Sequence, residues 1–336
     1  MKMYHYALKE NQRRIQINAF QLYEAWQDAE HRLAGYAGSM VWKSSGGRQY
    51  LFKLTDRRGY GRSMGVRTAE TERVFAEFHA AKSREKERVQ SLRAQLAEQA
   101  RFNRAALIGR VPNIVAQLLD SLHKSGFGAN NLVVIGTSAL YAYESMAGVF
   151  FAEAVTATTD VDLLWDTRSR LELVTADPVS LLGLLQSIDP SFERLAGQAF
   201  RAANSRGFMV DLIRQMPNPP WRKVPESFGD DPEDLVATDI WNMKWLLSAP
   251  RLVQPVIVEN GKMTSMPVVD PRAFAVFKRW LAASPERNPT KRPRDAAQAD
   301  ALFGVLREYL PQYPLDAEAL KMFPREVVES ALSEGG

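Results

Sequence analysis

The chain contains no cysteine among its 336 residues. Disulfide staples, thiolate zinc sites and cysteine nucleophiles are therefore excluded. Histidine is scarce as well. The four present, His5, His31, His79 and His123, all lie in the first 130 residues and show no ligand spacing. That distribution argues against a histidine triad or a zinc centre. No run of 18 apolar residues occurs, and the opening MKMYHYALKENQRR lacks a hydrophobic signal core. No membrane partner is expected, and the expected location is cytoplasmic. A Walker A loop is missing, and GTSAL is not the G-x-S-x-G of a hydrolase elbow. The glycines of Gly59-Tyr60-Gly61-Arg62-Ser63-Met64-Gly65 are spaced one residue too far for G-x-G-x-x-G, so this stretch reads as hairpin structure. No internal repeat is evident.

What remains is a composition of 46% hydrophobic and 24% charged residues, that of an ordinary globular protein able to bury a core. The net charge of +4 hides an asymmetry. Residues 1–130 carry 22 Lys and Arg against 12 Asp and Glu, whereas the remainder carries 21 against 27. A basic N-terminal part is compatible with a polyanionic partner such as RNA, and equally with a solvated helical surface.

Three regions follow from the pattern: a basic helical and β-hairpin region over 1–130, an α/β block over 131–225, and a mainly helical region over 226–336. In the first, residues 17–36 read as an amphipathic helix. VWKSSGGRQYLFKLTDRRGYGRSMG gives short strands with turns at Ser44–Gly47 and Asp56–Gly59. From Thr68 to about Arg101, charges at i, i+3 and i+4 spacings suggest a long exposed helix, either a scaffold or an arm joining a partner or a homo-oligomer. A further helix is expected over about 104–125. The α/β block opens on the buried-type strand 131–135. The strand of the Asp160 motif follows, then a helix near 178–187, and strands near 191–194, 199–203 and 207–213. After the Pro-rich joint MPNPPWRKVP, helices are expected at 234–248, 270–283 and 294–309, interrupted by a hairpin over 252–268. Trp241, Trp245, Phe274, Phe277 and Trp280 sit at helical spacings that suit core packing.

Chemistry concentrates in the α/β block. Gly136-Thr137-Ser138 follows a strand and opens a helix, where backbone N–H groups and hydroxyls can hold phosphate oxygens. In TATTDVDLLWD, alternation places Val161, Leu163 and Trp165 on one strand face and Asp160 with Asp162 on the other. Such a pair is either an ordinary solvated face or a metal platform. Asp211 lies in the apolar strand FMVDLI, either as a third carboxylate or as an edge residue satisfied by Arg214 or a backbone amide. Three carboxylates on adjacent strands repel one another unless a cation such as Mg²⁺ neutralises them. Glu144 reads as a helix-surface residue.

A strand, a Gly-Ser-like turn opening a helix, Asp-hydrophobic-Asp and a later strand Asp together resemble the polymerase-β-like nucleotidyltransferase superfamily. More closely, the chain resembles a bacterial group of nucleotidyltransferase-fold proteins. The resemblance is carried by GTSALYAYE (136–144), TATTDVDLLWD (156–166), DPRAFAVFKRWL (270–281) and KRPRDAAQADAL (291–302), and also by GRQYLFK and RSMGVRTAETE. It implies an α+β fold with a mixed-sheet core, flanked by the N-terminal hairpin and long-helix region and the C-terminal helical region. It further implies NMP transfer from an NTP, with Mg²⁺ (or Mn²⁺ in its place) on Asp160, Asp162 and Asp211, and with Gly136, Thr137 and Ser138 at the triphosphate. The acceptor would be a hydroxyl of RNA, such as a tRNA end, of a protein or of a small molecule. Likeness to toxin-type nucleotidyltransferases of defence systems adds Lys278 on the triphosphate and Arg294-Asp295 beside it. The sequence departs from the superfamily in having Thr137 before Ser138. It also inserts ESMAGVFFAEAVTA, leaving 21 residues between Ser138 and Asp160.

Overall fold

A computed structural model describes residues 4–55, 58–168, 180–227 and 231–333. The chain forms two compact units: Arg14–Ala106, and Met1–Arg13 together with Leu107–Gly336.

A short strand, β1 (His5–Ala7), precedes helix α1 (Glu10–Ala34). The helix begins before residue 17 because its polar first turns contain no breaker. Strands β2 (Ser39–Ser45), β3 (Arg48–Leu54) and β4 (Gly61–Val66) form an antiparallel sheet. The glycine stretch 59–65 is thus hairpin and strand, as its spacing suggests; Asp56 and Arg57 of the second turn lie outside the described residues. The long helix α2 (Ala69–Ala105) starts with a capping box between Thr68 and Thr71. Its Val89 and Leu92 pack with Ala29, Leu22, Ala25, Trp26 and Leu33, one heptad-like stripe of α1. Ion pairs Arg32–Glu85 and Arg93–Glu30 flank that seam. Phe78 of α2 packs with Met40 and Leu51 on one face of the small sheet, joined by Trp42, Val74 and Phe75.

In the larger unit, helix α3 (Asn113–Lys124) begins only after Pro112. The helix expected over about 104–125 is split, because the amides of Arg110 and Val111 bond the Ile257 carbonyl and Pro112 then sets the start of α3, while residues 104 and 105 end α2. Strand β5 (Leu132–Ile135) leads through a turn of 3₁₀ helix (Thr137–Ala139) into α4 (Leu140–Ala147). The inserted segment then supplies β6 (Val149–Phe151), which pairs with β1, and the single turn α5 (Glu153–Thr156). Next come β7 (Asp160–Trp165), α6 (Leu181–Ile188), β8 (Glu193–Leu195), β9 (Gln198–Ala203) and β10 (Met209–Gln215). The stretch expected as one helix over 234–248 is instead strand β11 (Thr238–Ile240) and a short helix α7 (Met243–Ser248). β11 pairs with β10, and Asp239 bonds Arg214, so a tertiary pairing overrides the helical spacing. β12 (Arg251–Ile257) and β13 (Met263–Val269) form the expected hairpin, followed by α8 (Pro271–Ala283), α9 (Arg292–Tyr309) and α10 (Arg325–Ser333).

The larger sheet runs in the order β12-β13-β5-β7-β10-β9-β8, with β11 also on β10. It is mixed: β7 is antiparallel to β5 and parallel to β10, and β10 is antiparallel to β9. This is an α+β architecture. Val161, Leu163, Leu164, Trp165, Val210 and Leu212 are all buried, so the strand bearing the aspartates is clamped in the core rather than half-solvated. Phe274 and Phe277 of α8 are buried there too, while Trp241 is exposed. Among the described residues no helix is long and apolar enough to cross a membrane.

Candidate active site

The site is built where β5 ends, and β7 and β10 begin. Pairing of β7 with β10 sets Asp162 directly beside Asp211, with Asp160 two residues earlier on the same face. Ile135 pairs with Asp162, so the turn Gly136–Ser138 starts at the carboxylates. Gly136 adopts φ +66°, and a Cβ there would lie 1.9 Å from Asp162 Oδ2. Only glycine admits both that backbone and that carboxylate. Ser138 Oγ donates to the Asp160 carbonyl oxygen at 3.0 Å, tying the turn to the strand. Thr158 Oγ1 donates to the Asp160 carboxylate.

Burial pushes the Asp162 carboxyl up to about 7, with Asp160 and Asp211 adding repulsion and Lys278 and Lys291 opposing it. Asp162 keeps some surface exposed, but its carboxylate is wedged against Gly136, which accounts for so large a desolvation effect.

Among the described residues, neither Arg214 nor a backbone amide bonds the Asp211 carboxylate. Arg201, its cross-strand neighbour on β9, grips it with both arms: Nε to Oδ1 and Nη2 to Oδ2, each at 2.6 Å. This fork raises the Arg201 pKa, against the opposite effect of burial. Arg214 turns instead to Asp239 and the Pro225 carbonyl.

The C-terminal helices bring the remaining predicted residues to the same place. Lys278 of α8 is buried and bonds Asp295 Oδ1 of α9 at 2.8 Å. Burial pushes its pKa down, against the pull of Asp295 and Asp162. Asp295 also accepts from Arg287 Nε at 2.7 Å. Burial alone would raise the Asp295 carboxyl, but Lys278 and Arg287 outweigh it and hold it below the usual range. Arg294 does not bond its neighbour Asp295; it reaches the Ala157 carbonyl, and its Nε is buried without a partner. Gln298, one turn along, donates to Thr137 Oγ1 at 3.0 Å and to the Val155 carbonyl at 2.8 Å. Because Thr137 accepts that bond, its own hydroxyl hydrogen is left to donate elsewhere.

Glu144 does not lie on the helix surface, where its spacing places it. It is buried, because β6 and Arg110 cover its side of α4. It accepts from the Phe151 amide at 2.6 Å, and burial pushes its carboxyl up to about 7.

Does this donor set suit a divalent cation? Among the described residues, no group of three or more His, Asp or Glu side chains is arranged to hold a metal ion. Both oxygens of Asp211 face the Arg201 guanidinium. Asp160 and Asp162 do fit: hard oxygen donors, side by side, with repulsion that a cation would relieve. Asp211 fits as a third donor only when Arg201 releases it.

A family model described as Nucleotidyltransferase matches residues 113–323. That span begins at α3 and takes in the whole carboxylate site and helices α8 and α9. The chain belongs to this nucleotidyltransferase family. No curated protein and no solved structure matches it.

Proposed function

We infer that the protein transfers NMP from an NTP to an acceptor hydroxyl. The observation that carries this reading is the in-register pairing of Asp162 with Asp211, with Asp160 on the same face, at the turn Gly136–Ser138. The acceptor oxygen forms a bond to the α-phosphorus, the bond from that phosphorus to the pyrophosphate oxygen breaks, and pyrophosphate leaves. One of the three carboxylates takes the hydroxyl proton. Asp160 and Asp162, joined by Asp211 once Arg201 releases it, would hold Mg²⁺ or Mn²⁺, which supplies charge neutralisation to the phosphates. The amides of the turn Gly136–Ser138 and the hydroxyl of Thr137 orient the triphosphate, while the Ser138 hydroxyl holds the turn on the Asp160 carbonyl. Lys278, with Arg294 and Asp295 behind it, sets the charge balance at the phosphates. The acceptor is RNA such as a tRNA end, a protein or a small molecule. A toxin or defence role in the cytoplasm, and a homo-oligomer formed through α2, are compatible extensions.

Asp160→Ala with Asp162→Ala is expected to abolish transfer of label from α-labelled NTP into a cell extract, with the circular-dichroism spectrum unchanged. Undiminished transfer would refute the assignment.

One observation favours a second reading. The fork of Arg201 on Asp211 is what a nucleotidyltransferase fold that had given up its third metal ligand would show. Such a module would bind nucleic acid or a protein partner without turnover. Calorimetry separates the two: heat on titrating Mg²⁺ with an NTP supports the enzyme, and its absence at millimolar ligand supports the module.

A further inference from the structure

The basic excess of the smaller unit is concentrated in one place. Residues 14–106 carry 17 Lys and Arg against 10 Asp and Glu. Within 39–67, the three strands and their turns, the balance is 7 against 1. The helices of the unit are therefore nearly neutral, and the small sheet carries the charge; Lys53 and Arg67 lie on its α2 side, over Phe78 and Trp42, and Lys43 and Arg48 on the other.

The sheet has two faces of different character. Met40, Trp42 and Leu51 point to α2 and pack there with Phe78 and Phe75. Alternation puts Tyr50 and Phe52, both on the central strand β3, on the opposite face. They are half-buried and belong to neither apolar cluster of the unit described above. Cross-strand register sets Lys43 beside Tyr50, and Ser45 beside Arg48, on this same face. Lys43 Nζ lies 4.9 Å from the Phe52 ring centroid, and Lys43 and Arg48 are exposed. Val66 borders Tyr50 from β4 and is 39% exposed.

Two rings two residues apart on a central strand stand about 6.8 Å from each other, at ~3.4 Å per residue. Each presents a π-face that any base can stack on, and exposed cations beside them meet a phosphate backbone. A buried protein interface would instead be depleted of such charge at its centre. We propose that this face of the small sheet binds single-stranded RNA, with Tyr50 and Phe52 as stacking rings and Lys43 and Arg48 as phosphate contacts. Among the described residues Lys43 meets Phe52 through an exposed cation–π contact, so it can swing to a phosphate when a base takes the ring. The proposal deepens the transferase reading by naming the acceptor class, and rests on that reading only for the acceptor role.

Fluorescence anisotropy with the full chain and a labelled single-stranded oligouridylate tests it. Wild-type protein should bind with an affinity that falls steeply with salt. Tyr50→Leu with Phe52→Leu, which keeps apolar bulk, should weaken binding by at least about tenfold, since both base stacks are lost. Lys43→Gln with Arg48→Gln should make the salt slope shallower by about 0.7 per lost contact. Asp160→Ala with Asp162→Ala should bind RNA like wild type. Loss of transfer there with RNA binding intact separates the two claims. Absence of binding at low salt, or ring variants that bind as wild type while keeping their circular-dichroism spectrum, would overturn the proposal. So would an RNA duplex bound as tightly as the single strand.

Discussion

The two sheets of this protein solve opposite electrostatic problems. The larger one brings three carboxylates together at the start of β7 and β10. The smaller one sets Lys43 and Arg48 beside two half-buried rings on an open face. The difference lies in what surrounds each. The acids sit on strands buried on both sides, so burial raises the Asp162 carboxyl first, and repulsion from Asp160 and Asp211 adds to it. The cations sit at exposed positions, where water screens them at little cost to the fold. The larger sheet therefore stores charge tension that a cation or cationic side chain must relieve. The smaller offers charge without tension.

The ion pairs sharpen that contrast most. Asp295→Ala should destabilise the protein by about 3–5 kcal/mol, because it leaves Lys278 buried and deprived of its carboxylate. Chemical denaturation checks this; a loss under about 1 kcal/mol would show that the site is wetter than its burial indicates.

Next in size is the effect of Arg201. Arg201→Gln frees Asp211 of its fork, so Mn²⁺ should bind on the order of tenfold tighter, one pKa unit's worth of interaction. Electron paramagnetic resonance of free Mn²⁺ reads the change. Unaltered binding would show that Asp211 does not contribute to the cation site.

The Asp162 carboxyl gives a pH signature. Its pKa in the fold, about 7, lies above its ordinary value of 3.8. The native state therefore holds a proton that the unfolded chain has lost, and stability falls as pH rises between those two values. In EDTA, Asp162→Asn should raise the melting temperature relative to wild type at pH 7.5 and leave it nearly unchanged at pH 4. A difference independent of pH would contradict the assignment.

The smallest effect belongs to the helical seam of the smaller unit. Arg32 and Glu85 pair at 3.2 Å on its surface, and Arg32→Ala should cost less than about 1 kcal/mol. A larger loss would break the contrast between the two units.

Much of the larger sheet was legible from spacing. Asp160-Val161-Asp162 showed its shared face by alternation, and Gly136–Ser138 showed a helix start by its position after NLVVI. The strands near 199–203 and 207–213 were legible too. Arg201 was missed although its signal was present: pairing those strands across the turn 204–207 sets Arg201 opposite Asp211. Gln298 gave no local signal, since its bond to Thr137 joins residues far apart in sequence. Glu144 misled because the insertion folds back as β6 and covers it. The stretch 234–242 misled for a related reason, the pairing of β11 with β10. Local pattern reports periodicity well, but it cannot see what a distant segment will cover.

The most direct measurement of the central claim compares NTPs labelled at the α- and γ-phosphates, incubated with the protein, Mg²⁺ and a cell extract. The account predicts that α-label passes to an acceptor while γ-label is released as pyrophosphate, and that Asp160→Ala with Asp162→Ala abolishes both. Transfer of γ-label to the acceptor, or α-label transfer that survives in the double variant, would contradict it.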